Sequence, residues 1–423
     1  MARRVGTIIE RFGVTPAKMV RALDTYQDIT ARHGCTPTFP ITTVALERNP
    51  RVAQRLNDRG AELAIHGYVH VDYASLSLEE QRRHIQRACR TFERHAVPFV
   101  GFRCPYYRWN EATWQVAEEL GFLYSSNRVA HWDCFDESML SSAQQASYRK
   151  AIDLYSSREA SSEVVLPFFR GGLVEIPASI PDDEALVERM GFASSQDKAQ
   201  VWCDMLGKIY DRGELFCLSL HPERIYQCQE ALDAVLAQAR TLSPSVWIAP
   251  LREIAEWWKE KQGFTLTARE TSAGHYAVRA EASARATLLV RGASVSGPAK
   301  DWYAGYVLVD GNECEIESHV KPFVGVPLHA PEWAVAFLAD EGYIVERSAD
   351  KDSYGTYLDR LEAPVADGSE ERAKKLLLDT VESSGSPLVR LWRWPNGARC
   401  CLSVTGDIDS LTLVDFGMRM VGA

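Results

Sequence analysis

The chain has 423 residues, of which 46% are hydrophobic, 25% charged and 10% aromatic, a globular composition that argues against disorder, collagen-like repeats and a coiled coil. At roughly 150 residues per domain the length corresponds to two or three domains. A formal net charge of −10 excludes the basic footprint of a general nucleic-acid binder, and no stretch approaches the roughly 18 apolar residues of a membrane-spanning helix. The ten cysteines form no CxxC pair, and Cys400 and Cys401 are adjacent, so reduced thiols in apolar runs are expected rather than a disulfide framework. The first ten residues are too poor in apolar positions for a signal-peptide core. The expectation is a cytoplasmic protein.

In chain order, Thr15-Pro16 opens a helix whose apolar side is Met19, Val20, Leu23, Tyr26 and Ile29. A strand over Thr38–Thr42 follows, then a helix opened by Asn49-Pro50, and a strand over Glu62–His66. The rhythm repeats with a helix over Leu78–His95, a strand over Phe99–Phe102, a helix over Glu111–Leu120 and a strand over Phe122–Ser126. Further strands are expected near Leu173–Ile176 and Leu215–Leu220, with helices near Lys198–Asp211, Gln227–Leu242 and Arg252–Lys261. This alternation argues for a mainly parallel sheet or a β/α barrel.

Near Gly263 the pattern changes to short β-rich runs, Phe264–Ala268, His275–Ala280, Ala286–Val290, Tyr303–Val309 and Glu313–His319, separated by turn residues, as in a small sandwich. Helical patterning returns in Trp333–Glu341 and Glu370–Glu382, flanked by strands Tyr343–Glu346 and Leu388–Trp392. The turn Pro395-Asn396-Gly397 leads into a final apolar strand, Arg399–Thr405.

Four segments carry chemistry, each at the end of an expected strand. His66 and His70 stand four residues apart, and a turn between them lets both imidazoles meet one metal ion. In Arg103-Cys104-Pro105-Tyr106 the guanidinium can orient a carboxylate, and the backbone N–H after the proline can face an oxyanion. His221 follows the apolar run Leu218-Ser219-Leu220, at the strand tip where β/α barrels display catalytic groups. Asp407 and Asp409 end the last strand. Each has a plainer reading: a surface ion pair for Arg103, a strand end for His221, and an Asx-turn pair for the aspartates.

Together these segments resemble the polysaccharide deacetylases, the carbohydrate esterases built on the NodB homology domain, over residues 1–260 and 399–423. The resemblance implies a distorted β/α barrel, with residues 1–262 as its main part, 263–330 a β-rich accessory domain, 331–398 a small α/β segment, and 399–423 the strand that completes the barrel. The family's Asp motif comes first in its chain, whereas here Asp407 and Asp409 come last, and they are separated by Ile408 instead of adjacent. Joining the ends of this sequence restores the family order, so a circular permutation is expected, with the two termini close together. Exchange of the last strand with a second copy is the rival arrangement.

By the same resemblance, a divalent cation, with Zn²⁺ the expected ion, is held by Asp409, His66 and His70. Asp407 is the general base, with the two aspartate roles exchangeable. Arg103 fixes the base, the Tyr106 N–H stabilises the oxyanion, and His221 is the general acid. Glu175 is the candidate for orienting His221, in a strand that precedes substrate loops in several members. Tyr107 and Trp109 are candidates for stacking against a sugar, or ordinary core. The implied activity is removal of an N-acetyl group from an amino-sugar or carbohydrate. An amidohydrolase or deformylase acting on a small amide, and a silent carbohydrate-binding scaffold, are the alternatives. The oligomeric state is open.

Overall fold

The computed structural model describes residues 11–361 and 369–420. Most of the expected alternation is present. The proline-opened helix spans Ala17–Arg32 and buries Met19, Leu23, Tyr26 and Ile29, and Pro50 occupies the first turn of helix Pro50–Asp58. Helix Leu78–Arg94 begins at a reciprocal capping box between Ser77 and Glu80, an arrangement that satisfies two N-terminal donors at once.

The strands Thr38–Ile41, Glu62–Ile65, Gly101–Phe102 and Tyr124–Ser125 lie side by side in parallel. On the far side of Thr38–Ile41 comes the last strand of the chain, Cys400–Gly406, and beyond it Leu215–Leu220 and Ala178–Ile180. The whole sheet is a curled half-barrel of twelve strands whose edge strands, Arg158–Glu159 and Phe168–Arg170, pair at one side only. Its single antiparallel pair is Phe168–Arg170 with Leu173–Glu175. All six residues of Leu215–Leu220 are in register with the final strand, from Leu215 opposite Cys401 to Leu220 opposite Gly406. On the other flank Thr38 lies opposite Thr405, and Ile408 both donates to the Pro40 carbonyl and accepts from the Thr42 N–H. Both faces of this strand are buried, as expected for a parallel strand covered by helices.

Gly406 has a steric reason: a Cβ there would lie 2.7 Å from the Phe39 ring. Residues 1–10 and 421–423, and with them the expected proximity of the termini, lie outside the described residues.

The accessory region contains two four-stranded sheets, one of Thr265–Ser272, His275–Glu281, Glu313–Glu317 and Ser294–Ser296, the other of Ala299–Asp301, Tyr306–Val309, Leu288–Arg291 and Leu388–Leu391. They share an apolar core that includes Tyr276, Val278, Val290, Ile316 and Val389, which makes the expected sandwich. A small parallel sheet of Val345–Arg347, Lys321–Val326 and Tyr354–Tyr357 packs alongside. Strand pairing crosses the expected boundary at residue 330, because Leu388–Leu391 is antiparallel to Leu288–Arg291. Periodicity shows where a strand is but not which distant strand it pairs with. Helix Ser142–Leu154 and the short strands Val129–His131, Arg158–Glu159, Phe168–Arg170 and Ala178–Ile180 had no clear pattern to announce them. All ten cysteines are free thiols. Among the described residues, no helix is long and apolar enough to cross a membrane.

Candidate metal centre and active site

The four sequence segments meet at the carboxyl ends of the parallel strands. His66 follows the second barrel strand, and its Nδ1 lies 3.0 Å from the Arg103 carbonyl oxygen. A carbonyl only accepts, so this contact assigns the proton to Nδ1 and turns the lone pair of Nε2 to the other side. There Nε2 faces Asp409 Oδ1 at 3.4 Å, and His70 Nε2 faces the same oxygen at 3.1 Å. The ligand atoms of His66, His70 and Asp409 all lie within 4.8 Å of one another.

The turn between the histidines depends on Gly67, at φ +75°, where a Cβ would be 2.9 Å from the Tyr73 hydroxyl. A carboxylate oxygen and an imidazole lone pair this close are both acceptors, and a cation between them reconciles the two. Two imidazoles and one carboxylate are also a donor set suited to zinc. The residues present therefore fit a divalent cation.

Arg103 is not a surface ion pair. Its side chain is 1% exposed, and Nη1 donates to Asp407 Oδ1 at 2.8 Å and to Thr405 Oγ1 at 2.7 Å. Nη2 donates to Ser126 Oγ at 2.8 Å. Burial disfavours the guanidinium charge, but the Asp407 carboxylate outweighs that and raises the pKa further above its ordinary value. Breaking a buried pair of this kind leaves an uncompensated charge, at a cost of about 3–5 kcal/mol.

Next to it, Tyr106 and Tyr107 have φ of 59° and 54°, a left-handed conformation that costs non-glycine residues energy and clusters at functional sites. The Tyr106 ring is edge-on to His70, with centroids 4.3 Å apart.

His221 is held by an aspartate that the sequence reading missed. Asp183 accepts from the His221 backbone N–H at 2.7 Å and lies 2.8 Å from its Nδ1, leaving Nε2 for exchange with a reacting group. Burial works to lower the His221 pKa, but the Asp183 charge and hydrogen bond dominate and hold it well above the ordinary imidazole value. Asp183 is correspondingly lowered, with the His221 and Arg224 charges overcoming its burial. Its neighbour Asp182, buried and repelled by Asp183, is raised to about 7.

Glu175, the sequence candidate for orienting His221, does something else. Its carboxylate accepts from Trp114 Nε1 at 2.9 Å, from the Asn127 and Arg128 N–H groups at 2.6 and 2.7 Å, and from the Ser125 hydroxyl. It anchors the loop from which Asn127 accepts the Cys104 N–H at 2.6 Å, so its effect on the site is structural. The signal for Asp183 was the pair Asp182-Asp183 at the end of an apolar run, legible only once the strand Ala178–Ile180 is seen beside Leu215–Leu220.

The aromatic candidates divide. Tyr107 is buried against the Arg103 guanidinium. Trp109 stacks on Trp114 at 3.9 Å, in a hollow of about 300 Å³ also walled by Arg108, Arg128, Arg158 and Arg170.

The molecule is thus a β/α half-barrel with a candidate cation site at the carboxyl rim, completed by its own last strand. Residues 18–125 match the family model for polysaccharide deacetylase. The matched stretch contains His66, His70, Arg103 and Tyr106, while His221, Asp407 and Asp409 lie beyond it.

The chain is 26% identical over 239 residues to a peptidoglycan deacetylase-like protein of Gibberella zeae, covering 52% of this chain and 69% of that one. Among solved structures it is similar to a putative polysaccharide deacetylase from Mycobacterium smegmatis, at 22% identity and TM-score 0.43 over 57% of this chain and 77% of that one. A probable polysaccharide deacetylase from Pseudomonas aeruginosa matches at 21% identity and TM-score 0.45, over 56% and 73% of the two chains.

Proposed function

We propose that the protein is a divalent-metal-dependent hydrolase that removes an N-acetyl group from an amino-sugar within a carbohydrate. The observation that carries this reading is the convergence of Asp409, from the end of the chain, on His66 and His70, beside an Arg103–Asp407 pair and a His221–Asp183 pair. The deacetylase family match is consistent with it.

A divalent cation held by His66, His70 and Asp409 supplies Lewis acidity, which favours ionisation of a water and polarises an acyl oxygen. Asp407 takes the proton of the attacking water on a carboxylate oxygen, and Arg103 holds that carboxylate in place. The Tyr106 N–H donates to the developing oxyanion. His221, protonated because Asp183 raises its pKa, delivers the Nε2 proton to the departing amine. The reverse assignment of Asp407 and Asp409 is disfavoured by the ion pair of Asp407 with Arg103, because a carboxylate shared with a guanidinium is a weaker metal donor.

The sequence is also read as a permuted form of the NodB arrangement. Support comes from the seat of Cys400–Gly406 between Leu215–Leu220 and Thr38–Ile41, where it carries the aspartates to the rim.

The test is acetate release from N-acetylated chito-oligosaccharides with and without added Zn²⁺. Metal-dependent acetate release that is lost in Asp407→Asn supports the reading. Formate release from N-formyl substrates alone would move the activity to a small-amide deformylase, and the absence of both acids would leave a binding scaffold.

A further inference from the structure

A second cluster of buried charge lies at the opposite end of the final strand, where barrel and accessory region meet around a cavity of about 550 Å³. That volume is in the range of small-molecule sites. The cavity is bordered by Asp211 and Arg212 from the barrel, Trp302 and Tyr303 from the sandwich, and Lys375 and Glu382 from helix Ser369–Ser383.

Four arginines here have carboxylate partners, with Glu382 shared between two of them. Arg212 pairs with Glu214, Arg291 with Glu382, Arg390 with Glu382 at 2.6 Å, and Arg393 with Glu341 at 2.6 Å. Arg399 is different. It is 7% exposed, and among the described residues no carboxylate comes within 4.0 Å of its guanidinium. Its guanidinium donates to the Asp211 backbone carbonyl, while the Asp211 carboxylate accepts from Tyr303 at 2.8 Å. Its Nε is buried without a partner.

Around it stand the rings of Tyr303, Trp392 and Trp302, with centroids 4.3, 4.7 and 5.5 Å from the guanidinium carbon. Both indole N–H groups are committed to backbone carbonyls, Trp302 to Gly397 at 2.7 Å and Trp392 to Arg399 at 3.2 Å. The ring faces are therefore fixed. Burial and the nearby Arg393 push the Arg399 pKa down to about 10, a sign of a cation short of counter-charge.

We propose that this cavity binds a monosaccharide bearing one carboxylate or phosphate, with the anion on Arg399 and the sugar ring against the aromatic wall. A guanidinium matches either anion in a two-pronged contact. Lys375 and Asp379, paired with each other at the border, offer a donor and an acceptor to ring hydroxyls. The site is distinct from the candidate active site: Arg399 precedes and Asp407 follows strand Cys400–Gly406, about 26 Å apart at 3.3 Å per residue.

Isothermal titration of the intact protein with glucuronate, glucose 6-phosphate and glucose tests it. The expected result is saturable one-to-one binding of at least one of the two acids and none of glucose, and which acid binds separates the carboxylate source from the phosphate source. Arg399→Gln is expected to weaken that binding at least tenfold. Should that variant not fold, Ser383, exposed at the border of the cavity, decides: Ser383→Glu should weaken and Ser383→Lys strengthen binding, each by about threefold, from a single added charge near the anion. Absence of binding by both acids at millimolar concentration would overturn the proposal, as would affinity that the folded Arg399→Gln protein, or in its absence both Ser383 variants, leave unchanged.

Discussion

At the carboxyl end of strand Cys400–Gly406, Arg103 has Asp407 and His221 has Asp183; at its amino end, Arg399 has three aromatic rings and a backbone carbonyl. Both ends take cations out of water, which is costly unless the charge is matched. The rim matches its charges internally, in pairs that fix where a carboxylate and an imidazole point. At the junction, among the described residues, Arg399 has no carboxylate partner and borders an open cavity. A pair closed within the protein serves positioning, whereas a buried cation facing open space is suited to recognition.

Substitutions that open the pairs at the rim sharpen this contrast, and the largest effect belongs to the base. Asp407→Asn is expected to lower the rate of acetate release by roughly 10³-fold while leaving bound metal in place, the size of effect that removal of a general base produces. Unchanged turnover in that variant would remove Asp407 from the chemistry. Arg103→Ala should destabilise the fold by about 3–5 kcal/mol, because Asp407 is left buried without its partner. Denaturant unfolding of that variant alongside Arg103→Ala/Asp407→Asn checks the cause, since the double variant should recover part of the loss.

The His221–Asp183 pair governs pH dependence. Because the folded pKa of His221 is raised, the pair's contribution to stability is complete below the unfolded value of about 6.5 and is lost as pH rises through the higher folded value. Activity that needs protonated His221 should fall over the same alkaline range. In Asp183→Asn the opposing burial remains and the raising charge is gone, so the alkaline limb should move to lower pH and kcat should drop about 10–100-fold, as for loss of an orienting partner. A limb that stays in place would assign it to another group. The smallest effect is expected at Trp109→Ala: a few-fold rise in KM at constant kcat if the Trp109–Trp114 hollow holds part of the substrate, in line with the 0.5–1.5 kcal/mol or so of an aromatic contact. A change in kcat alone would place Trp109 in the core instead.

Much of the rim was legible in the sequence because its residues sit at strand ends with strong local signals: His66 after Glu62–Ile65, His221 after Leu215–Leu220, and Asp407 after an apolar run. Even the position of the last strand followed from the order of the motifs. Asp183 was not legible, because a carboxylate 38 residues from its histidine is recognised only through the adjacency of two strands. Glu175 misled for the complementary reason. A lone acid in a buried strand looks catalytic until its oxygens are seen to be filled by Trp114, Ser125 and two backbone N–H groups. The junction was the least readable region. Arg291, Arg390, Arg393 and Arg399 look like scattered surface charges until Leu388–Leu391 pairs with Leu288–Arg291 and brings them around one cavity.

The account depends on the last strand delivering Asp409 to the two histidines, and zinc titration of the intact protein and of Asp409→Ala measures that most directly. One zinc ion per chain in the wild type, with affinity at least roughly 10-fold weaker in Asp409→Ala, is the result predicted for removal of a direct ligand, given that even outer contacts to a metal site are worth 10–100-fold. Equal stoichiometry and affinity in the two proteins would contradict it.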